Sequence, residues 1–123
     1  MKLRFRNNSL RLRLNQREVA DLAAGTPLKE EVLFPGNARM QYVLEPSSAG
    51  SFEASFEKGI IRVAAPQNQF RTWASSDVVG IYFDLPANGT SLRVAVEKDL
   101  ECVDASLEDR DPFAFPREAR KNC

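Results

Sequence analysis

The side chains in this sequence best suited to chemistry are its arginines. Lys2, Arg4, Arg6, Arg11 and Arg13 put five cations into the first thirteen residues, with no acid among them. A guanidinium presents a planar fork of donors that holds a phosphate or carboxylate by two parallel hydrogen bonds. Arg39, Arg62 and Arg93 recur at positions that alternate with apolar residues in the same way. Arg4, Arg6, Arg11, Arg13, Arg39, Arg62 and Arg93 therefore form one candidate set for a small anionic ligand. Glu45, Glu53 and Glu97 fall in the same phase and are the candidate ligands for a divalent cation such as Mg²⁺, which takes oxygen donors. The acidic run Glu97, Asp99, Glu101, Asp104, Glu108, Asp109 and Asp111 matches no EF-hand spacing and reads as a solvated segment.

Other chemistry is excluded by composition. There is no histidine, so a Ser-His or Cys-His nucleophile system and a histidine zinc site cannot be built. No phosphate-cradling glycine motif occurs. Cys102 has acidic neighbours, Glu101 and Asp104, which oppose thiolate formation; it and Cys123 are expected to be free thiols. Seventeen basic residues balance seventeen acidic ones, so no bulk attraction to nucleic acid or a membrane follows. Nucleic acid is not expected on the arginines either, because no exposed aromatic is foreseen between them to stack on bases. No apolar run approaches the ~20 residues of a spanning helix, and no signal-peptide pattern opens the chain, so a cytoplasmic protein without a membrane partner is expected.

The elements that must carry these residues follow from hydrophobic period and turn chemistry. Met1 to Arg6 and Ser9 to Leu14 alternate apolar and basic residues around Asn7-Asn8, giving a hairpin with one greasy and one basic face. Asn15 and Glu18 have the spacing of a capping box, opening a short helix with Val19, Leu22 and Ala23 as its apolar stripe and Gly25 as its stop. Leu28 to Phe34 and Arg39 to Glu45 read as strands about the turn Pro35 to Asn37. After the linker Pro46 to Ser51 come strands Phe52 to Glu57 and Ile60 to Ala65, then a helix with Pro66 at its first position and Phe70 and Trp73 inward. Strands Val79 to Leu85 and Ser91 to Glu97 close the pattern.

The second half repeats the first. A shift of 51 residues sets Phe5 on Phe56, Leu10 on Ile61, Leu12 on Val63, Val19 on Phe70 and Leu22 on Trp73; one residue more sets Met40 on Leu92, Tyr42 on Val94 and Leu44 on Val96. The expectation is a single α+β domain made by tandem duplication of a ββαββ unit, repeat 1 over about 1–46 and repeat 2 over about 52–98, with an acidic tail over 99–123. Its eight mainly antiparallel strands would form a curved sheet or an open barrel with two short helices, or else a two-layer sandwich. In the tail, Leu100, Phe113 and Phe115 are expected to dock on the body, and the acids around them to cover and neutralise the basic face.

The opening MKLRFRNNSLRLRLNQREV, the segment VEKDLECVD at Val96 to Asp104 and DPFAFP at Asp111 to Pro116 together resemble a small uncharacterised bacterial family, a domain of unknown function. The resemblance spans nearly the whole chain, departing at Phe115 to Glu118, where FPRE stands in place of the family's FPNP. In architecture alone the eight-stranded duplication resembles the CYTH or triphosphate-tunnel group, whose metal-binding E-x-E-x-K strand is absent here. The reading is a small, non-enzymatic bacterial binding or interaction domain for an anionic ligand or a protein partner, with no cofactor. Two alternatives are a phosphohydrolase-like tunnel enzyme using the arginines with a metal on Glu45, Glu53 and Glu97, and a structural partner that dimerises through a sheet edge.

Overall fold

The computed structural model describes residues 1–100 together with Pro112, Phe113 and Phe115. The order is β1(Lys2–Arg6), β2(Ser9–Leu14), α1(Gln16–Ala23), β3(Leu28–Phe34), β4(Ala38–Pro46), β5(Glu53–Glu57), β6(Ile60–Ala65), α2(Gln67–Ala74), β7(Gly80–Ala87) and β8(Thr90–Lys98). The foreseen ββαββββαββ sequence is thus present.

The hairpin turns form where residues tolerate a left-handed backbone. The only non-glycine residues with positive φ among those described are Asn7, Asn37, Lys58 and Asn88, one at each hairpin tip. Asn is the residue that accepts this conformation most readily; Lys58 takes it at φ 51° beside Gly59 at φ 76°, the pair a tight two-residue turn needs. α1 is closed at both ends as its sequence dictates. Asn15 accepts from the Glu18 N–H at 3.0 Å and Glu18 accepts from the Asn15 N–H at 2.9 Å. At the far end the Gly25 and Thr26 N–H groups bond to the Leu22 and Asp21 carbonyls at 3.0 and 2.8 Å, a Schellman closure. The Gln67 amide then donates to the Leu22 and Ala23 carbonyls at 2.9 Å, tying the start of α2 to the end of α1. Pro66 takes at α2 the place that Asn15 has at α1, as the N-cap residue one place before the first helical position.

The sheet expectation needs correction. The eight strands make neither one curved sheet nor a closed or open barrel, but two mixed four-stranded sheets. The first has order β1-β2-β8-β7 and the second β3-β4-β6-β5. The four hairpins are antiparallel as expected, but β2 pairs with β8, and β4 with β6, in parallel. Each sheet therefore takes one hairpin from each half of the chain. No triphosphate-type tunnel encircles a central axis among the described residues.

The parallel pairings follow from where the helices sit. β2 runs into α1 and β6 into α2, so α1 and α2 lie at the same end of the sheets and pack on each other, leaving all four hairpin tips at the opposite end. One core joins both sheets and both helices: Leu10, Leu12, Leu14, Val94 and Val96 from the first sheet, Leu44, Val63 and Ala65 from the second, and Val19, Leu22, Phe70 and Trp73 from the helices. Leu12, Leu14, Leu22, Leu44, Val63, Phe70 and Val96 are fully buried, each worth roughly 1.5–3 kcal/mol of transfer free energy. Between the sheet edges, Tyr42 Oη donates to the Met1 carbonyl at 3.0 Å on one side, and Phe52 packs on Phe83 at 4.7 Å on the other.

The end of β8 is held as the tail reading anticipates. Leu100 bridges to Phe115, whose N–H donates to the Asp99 carbonyl at 2.7 Å, and the Arg17 guanidinium stacks 3.9 Å over the Phe113 ring. Both phenylalanines dock at the helix end. The acids from Glu101 to Asp111, the departure at Phe115 to Glu118 beyond Phe115 itself, Cys102 and Cys123 lie outside the described residues.

Candidate functional site

The basic hairpin presents its cations outward on the first sheet because Leu3, Leu10, Leu12 and Leu14 take the inward phase. Cross-strand register arranges the outer face in three rows. Lys2, Arg13, Glu97 and Gly80 form the row nearest the helices; Arg4, Arg11, Ala95 and Tyr82 the next; Arg6, Ser9, Arg93 and Asp84 the row nearest the hairpin tips. Six cations face two acids over these rows, an excess of four.

The charges are used unevenly. Glu97 receives the Arg11 Nε at 3.1 Å, the Arg13 Nε at 3.8 Å and the Tyr82 hydroxyl at 2.7 Å. Burial, and then the hydrogen bond to Glu97, push the Tyr82 hydroxyl up to about 12. Lys2 pairs with Asp99 at 2.8 Å. Among the described residues, Arg4, Arg6 and Arg93 have no carboxylate partner. Because Ala95 is short, a depression of about 260 Å³ opens between Ser9, Arg11, Tyr82, Asp84 and Arg93. Its walls offer guanidinium and hydroxyl donors, one carboxylate, that of Asp84, and the aromatic residues Tyr82 and Phe83.

Arg39 and Arg62 are not on this face. They lie on the outer face of the second sheet, where Arg39 pairs with Glu31 at 3.6 Å and Arg62 lies between Glu45 and Glu53, with Nη1 2.9 Å from Glu53 Oε1. Glu53 also accepts from the Ser47 hydroxyl and, at 3.0 Å, from Ser51. The hydrogen bond from Ser47, reinforced by those from Arg62 and Ser51, holds the Glu53 carboxyl at about 2, well below the usual carboxylate range. The proposed metal set is likewise divided, Glu45 and Glu53 on the second sheet and Glu97 on the first. Among the described residues no group of three or more acidic or thiol ligands gathers around one point.

The two outer faces use one pairing with opposite surplus. Arg62 lies 51 residues after Arg11, and Glu45 lies 52 residues before Glu97, the offsets at which the two halves of the sequence align. On the first sheet one glutamate is shared by two arginines; on the second one arginine is shared by two glutamates.

The segment Glu97-Lys98-Asp99 has three separate tasks at the end of β8. Glu97 organises Arg11, Arg13 and Tyr82. Lys98 turns inward, 7% exposed, donating to the Ser76 carbonyl at 2.6 Å with its ammonium 5.3 and 5.9 Å from the Phe115 and Trp73 rings. Asp99 pairs with Lys2 and receives the Phe115 backbone.

Two features escaped the sequence reading. Tyr82 stands in the second row beside Arg11, supplying the aromatic that was not foreseen; its outward phase was readable from Ile81 and Phe83, but not its place two strands from Arg11. The second feature is an apolar cleft of about 470 Å³ between the sheets, open toward the hairpin tips and lined by Phe5, Leu10 and Leu92 of the first sheet and by Met40, Ala54, Phe56 and Ile61 of the second, with Ser55 as its one polar residue. Phe5 and Phe56 stand at its rim, 60% and 70% exposed.

The chain matches the family of unknown function DUF7009 over residues 1–117. It belongs to that family. In this member of the family the described residues form a pair of mixed four-stranded sheets clasped at one end by two helices. No curated protein and no solved structure matches the chain. No helix among the described residues is long and apolar enough to cross a membrane.

Proposed function

We propose that this DUF7009 member is a small binding domain for a multivalent anion, phosphate- or carboxylate-bearing, on the outer face of its first sheet. The observation that carries the reading is the pair of outer rows in which Arg4, Arg6 and Arg93 have no carboxylate partner among the described residues, while Arg11, Ser9, Tyr82 and the single acid Asp84 enclose a depression beside them. Glu97 holds Arg11 and Tyr82 in place from the row behind, so part of the entropy of ordering the site is spent on folding rather than on binding. Arg supports such recognition because its fork is preorganised.

The test is a thermal-shift and calorimetric titration with inorganic phosphate, pyrophosphate and tripolyphosphate, with and without Mg²⁺. Anions that bind only the folded chain raise its melting temperature. The expected order is tripolyphosphate over pyrophosphate over phosphate, weakening as added salt shortens the ~8–10 Å screening length, and lost in Arg6→Ser/Arg93→Ser. No shift with any anion at low salt overturns the reading. A shift that requires Mg²⁺ and is lost in Glu97→Gln would instead favour a metal on this face.

The same reading includes an origin by tandem duplication. Its support is geometric: Leu10 pairs with Val94 and Leu12 with Val96 in one sheet, and the shifted counterparts Ile61 with Tyr42 and Val63 with Leu44 pair in the other. The four left-handed tip residues also fall into two corresponding pairs, Asn7 with Lys58 and Asn37 with Asn88.

A further inference from the structure

We infer that the apolar cleft between the sheets receives the chain of a free, single-tailed anionic amphiphile whose headgroup rests on Arg6 and Arg93. The inference deepens the anion-binding reading and rests on it: it names the class of anion. The cleft falls within the ~300–1,000 Å³ range of ligand sites and is lined by apolar residues apart from Ser55. It is formed by three corresponding pairs from the two halves, Phe5 with Phe56, Leu10 with Ile61, and Leu92 with Met40. At the helix end the equivalent inward positions, Leu14, Val96 and Ala65, are fully buried, and among the described residues nothing comparable covers the tip end. The three phenylalanines exposed there, Phe5, Phe34 and Phe56, leave about 350 Å² of apolar surface in water, taking ~200 Å² for each whole side chain. The largest apolar patch of a monomer is commonly of this order and often functional.

Charge selects the occupant. β1 is shared by both sites: Phe5 points into the cleft while Arg4 and Arg6, its neighbours, point to the basic face. Leu92 and Arg93 divide β8 in the same way. The row nearest the tips is the one holding Arg6 and Arg93, both without a carboxylate partner among the described residues. A chain lying in the cleft leaves at the tips, beside those two guanidiniums, so an anionic head is complementary there.

The test titrates the full chain by calorimetry with inorganic phosphate, butyl phosphate and octyl phosphate, and with octanol, all below micelle-forming concentrations, alongside sedimentation velocity and flotation with vesicles of anionic phospholipid. A buried methylene contributes about fourfold in affinity, so octyl phosphate is expected to bind on the order of a hundredfold tighter than butyl phosphate. Octanol is expected to bind at least tenfold more weakly than octyl phosphate. Phe5→Ser/Phe56→Ser, at exposed positions that the core does not depend on, is expected to abolish the chain-length gain while leaving the response to inorganic phosphate intact. Leu92→Ser is a second, independent lesion of the cleft with the same expected signature.

Equal affinity for butyl and octyl phosphate overturns the cleft inference and leaves the anion-binding face standing. Octanol binding as tightly as octyl phosphate overturns the role of Arg6 and Arg93 as headgroup partners. Silence with every phosphate overturns both readings. A wild-type dimer that Phe5→Ser/Phe56→Ser dissociates, or binding to vesicles without binding of free octyl phosphate, replaces the amphiphile with a second copy or a membrane surface.

Discussion

Replacing Gly80 with alanine should dislodge Tyr82 while leaving the sheet intact. Gly80 faces outward beneath the Tyr82 ring, and a Cβ added there would lie 2.8 Å from Tyr82 Oη and 2.9 Å from both Tyr82 Cζ and Glu97 Cγ. Carbon atoms do not approach so closely, and the backbone of Gly80, which has no positive φ, accepts alanine without strain. What yields is the tip of a side chain that is 59% exposed. The Tyr82–Glu97 hydrogen bond of 2.7 Å is then lost. At a solvent-exposed site this bond contributes about 1 kcal/mol or less, a fall of at most ~3–6 °C in melting temperature for a domain of this size. The sharper readout is ionisation. With Tyr42→Phe as background, tyrosinate absorbance should titrate near 12 in the parent and move toward 10 in Gly80→Ala. The sign is fixed by linkage: a tyrosine raised from 10 to about 12 contributes stability that is complete below pH 10 and lost as pH climbs to 12. The parent should therefore lose its advantage over Gly80→Ala across that window. If Gly80→Ala still titrates near 12, Tyr82 is not held by Glu97 in the way described, and the wall of the anion depression is misassigned. If the hydrogen bond matters for binding, tripolyphosphate affinity should fall with the shift in titration.

Other consequences can be measured on the same chain. Glu53, held at about 2, contributes stability that is present above its ordinary 4.5 and lost as pH falls between 4.5 and 2; Glu53→Gln should flatten the acid limb of a stability profile over that window, and an unchanged limb would show that Ser47 and Arg62 do not hold it. Phe70→Ala, at a fully buried position of α2 in the shared core, should cost about 3–5 kcal/mol in urea unfolding, a large share of a stability of ~5–15 kcal/mol. Asn15→Ala should cost about 1 kcal/mol, and Asn15→Asp much less, because only the former removes the acceptor for the Glu18 N–H. Lys58→Asn should raise stability by up to ~1 kcal/mol, since asparagine accepts the φ of 51° that lysine holds at this tip.

Much of the local structure was legible in the sequence because it is decided by near neighbours. The alternation in SLRLRL placed Leu10, Leu12 and Leu14 inward and the arginines outward, which the burial confirms. The Asn15-x-x-Glu18 spacing gave the capping box, Gly25 the end of α1, and Phe70 and Trp73 the buried stripe of α2. The correspondence between the halves was visible as spacing before any pairing was known. The candidate site was legible only as two lists of charged residues. That Arg4, Arg6, Arg11, Arg13 and Arg93 share a face followed from the first hairpin plus one pairing the sequence does not encode, β2 with β8. The separation of Arg39 and Arg62 from that set depends on the same fact.

What the sequence by itself determined about this protein is each strand's inward phase, each hairpin's turn and each helix's ends, because these depend on period, φ and capping within a few residues. The tertiary structure alone decided which hairpins meet. Pairing between strands some eighty residues apart is set by how two units, each too small to bury its own apolar face, share a single core. That exchange of hairpins splits the strands into two sheets, sets Tyr82 beside Arg11, locks Glu45 and Glu53 onto Arg62, and leaves the apolar cleft where the sheets part at the end without helices.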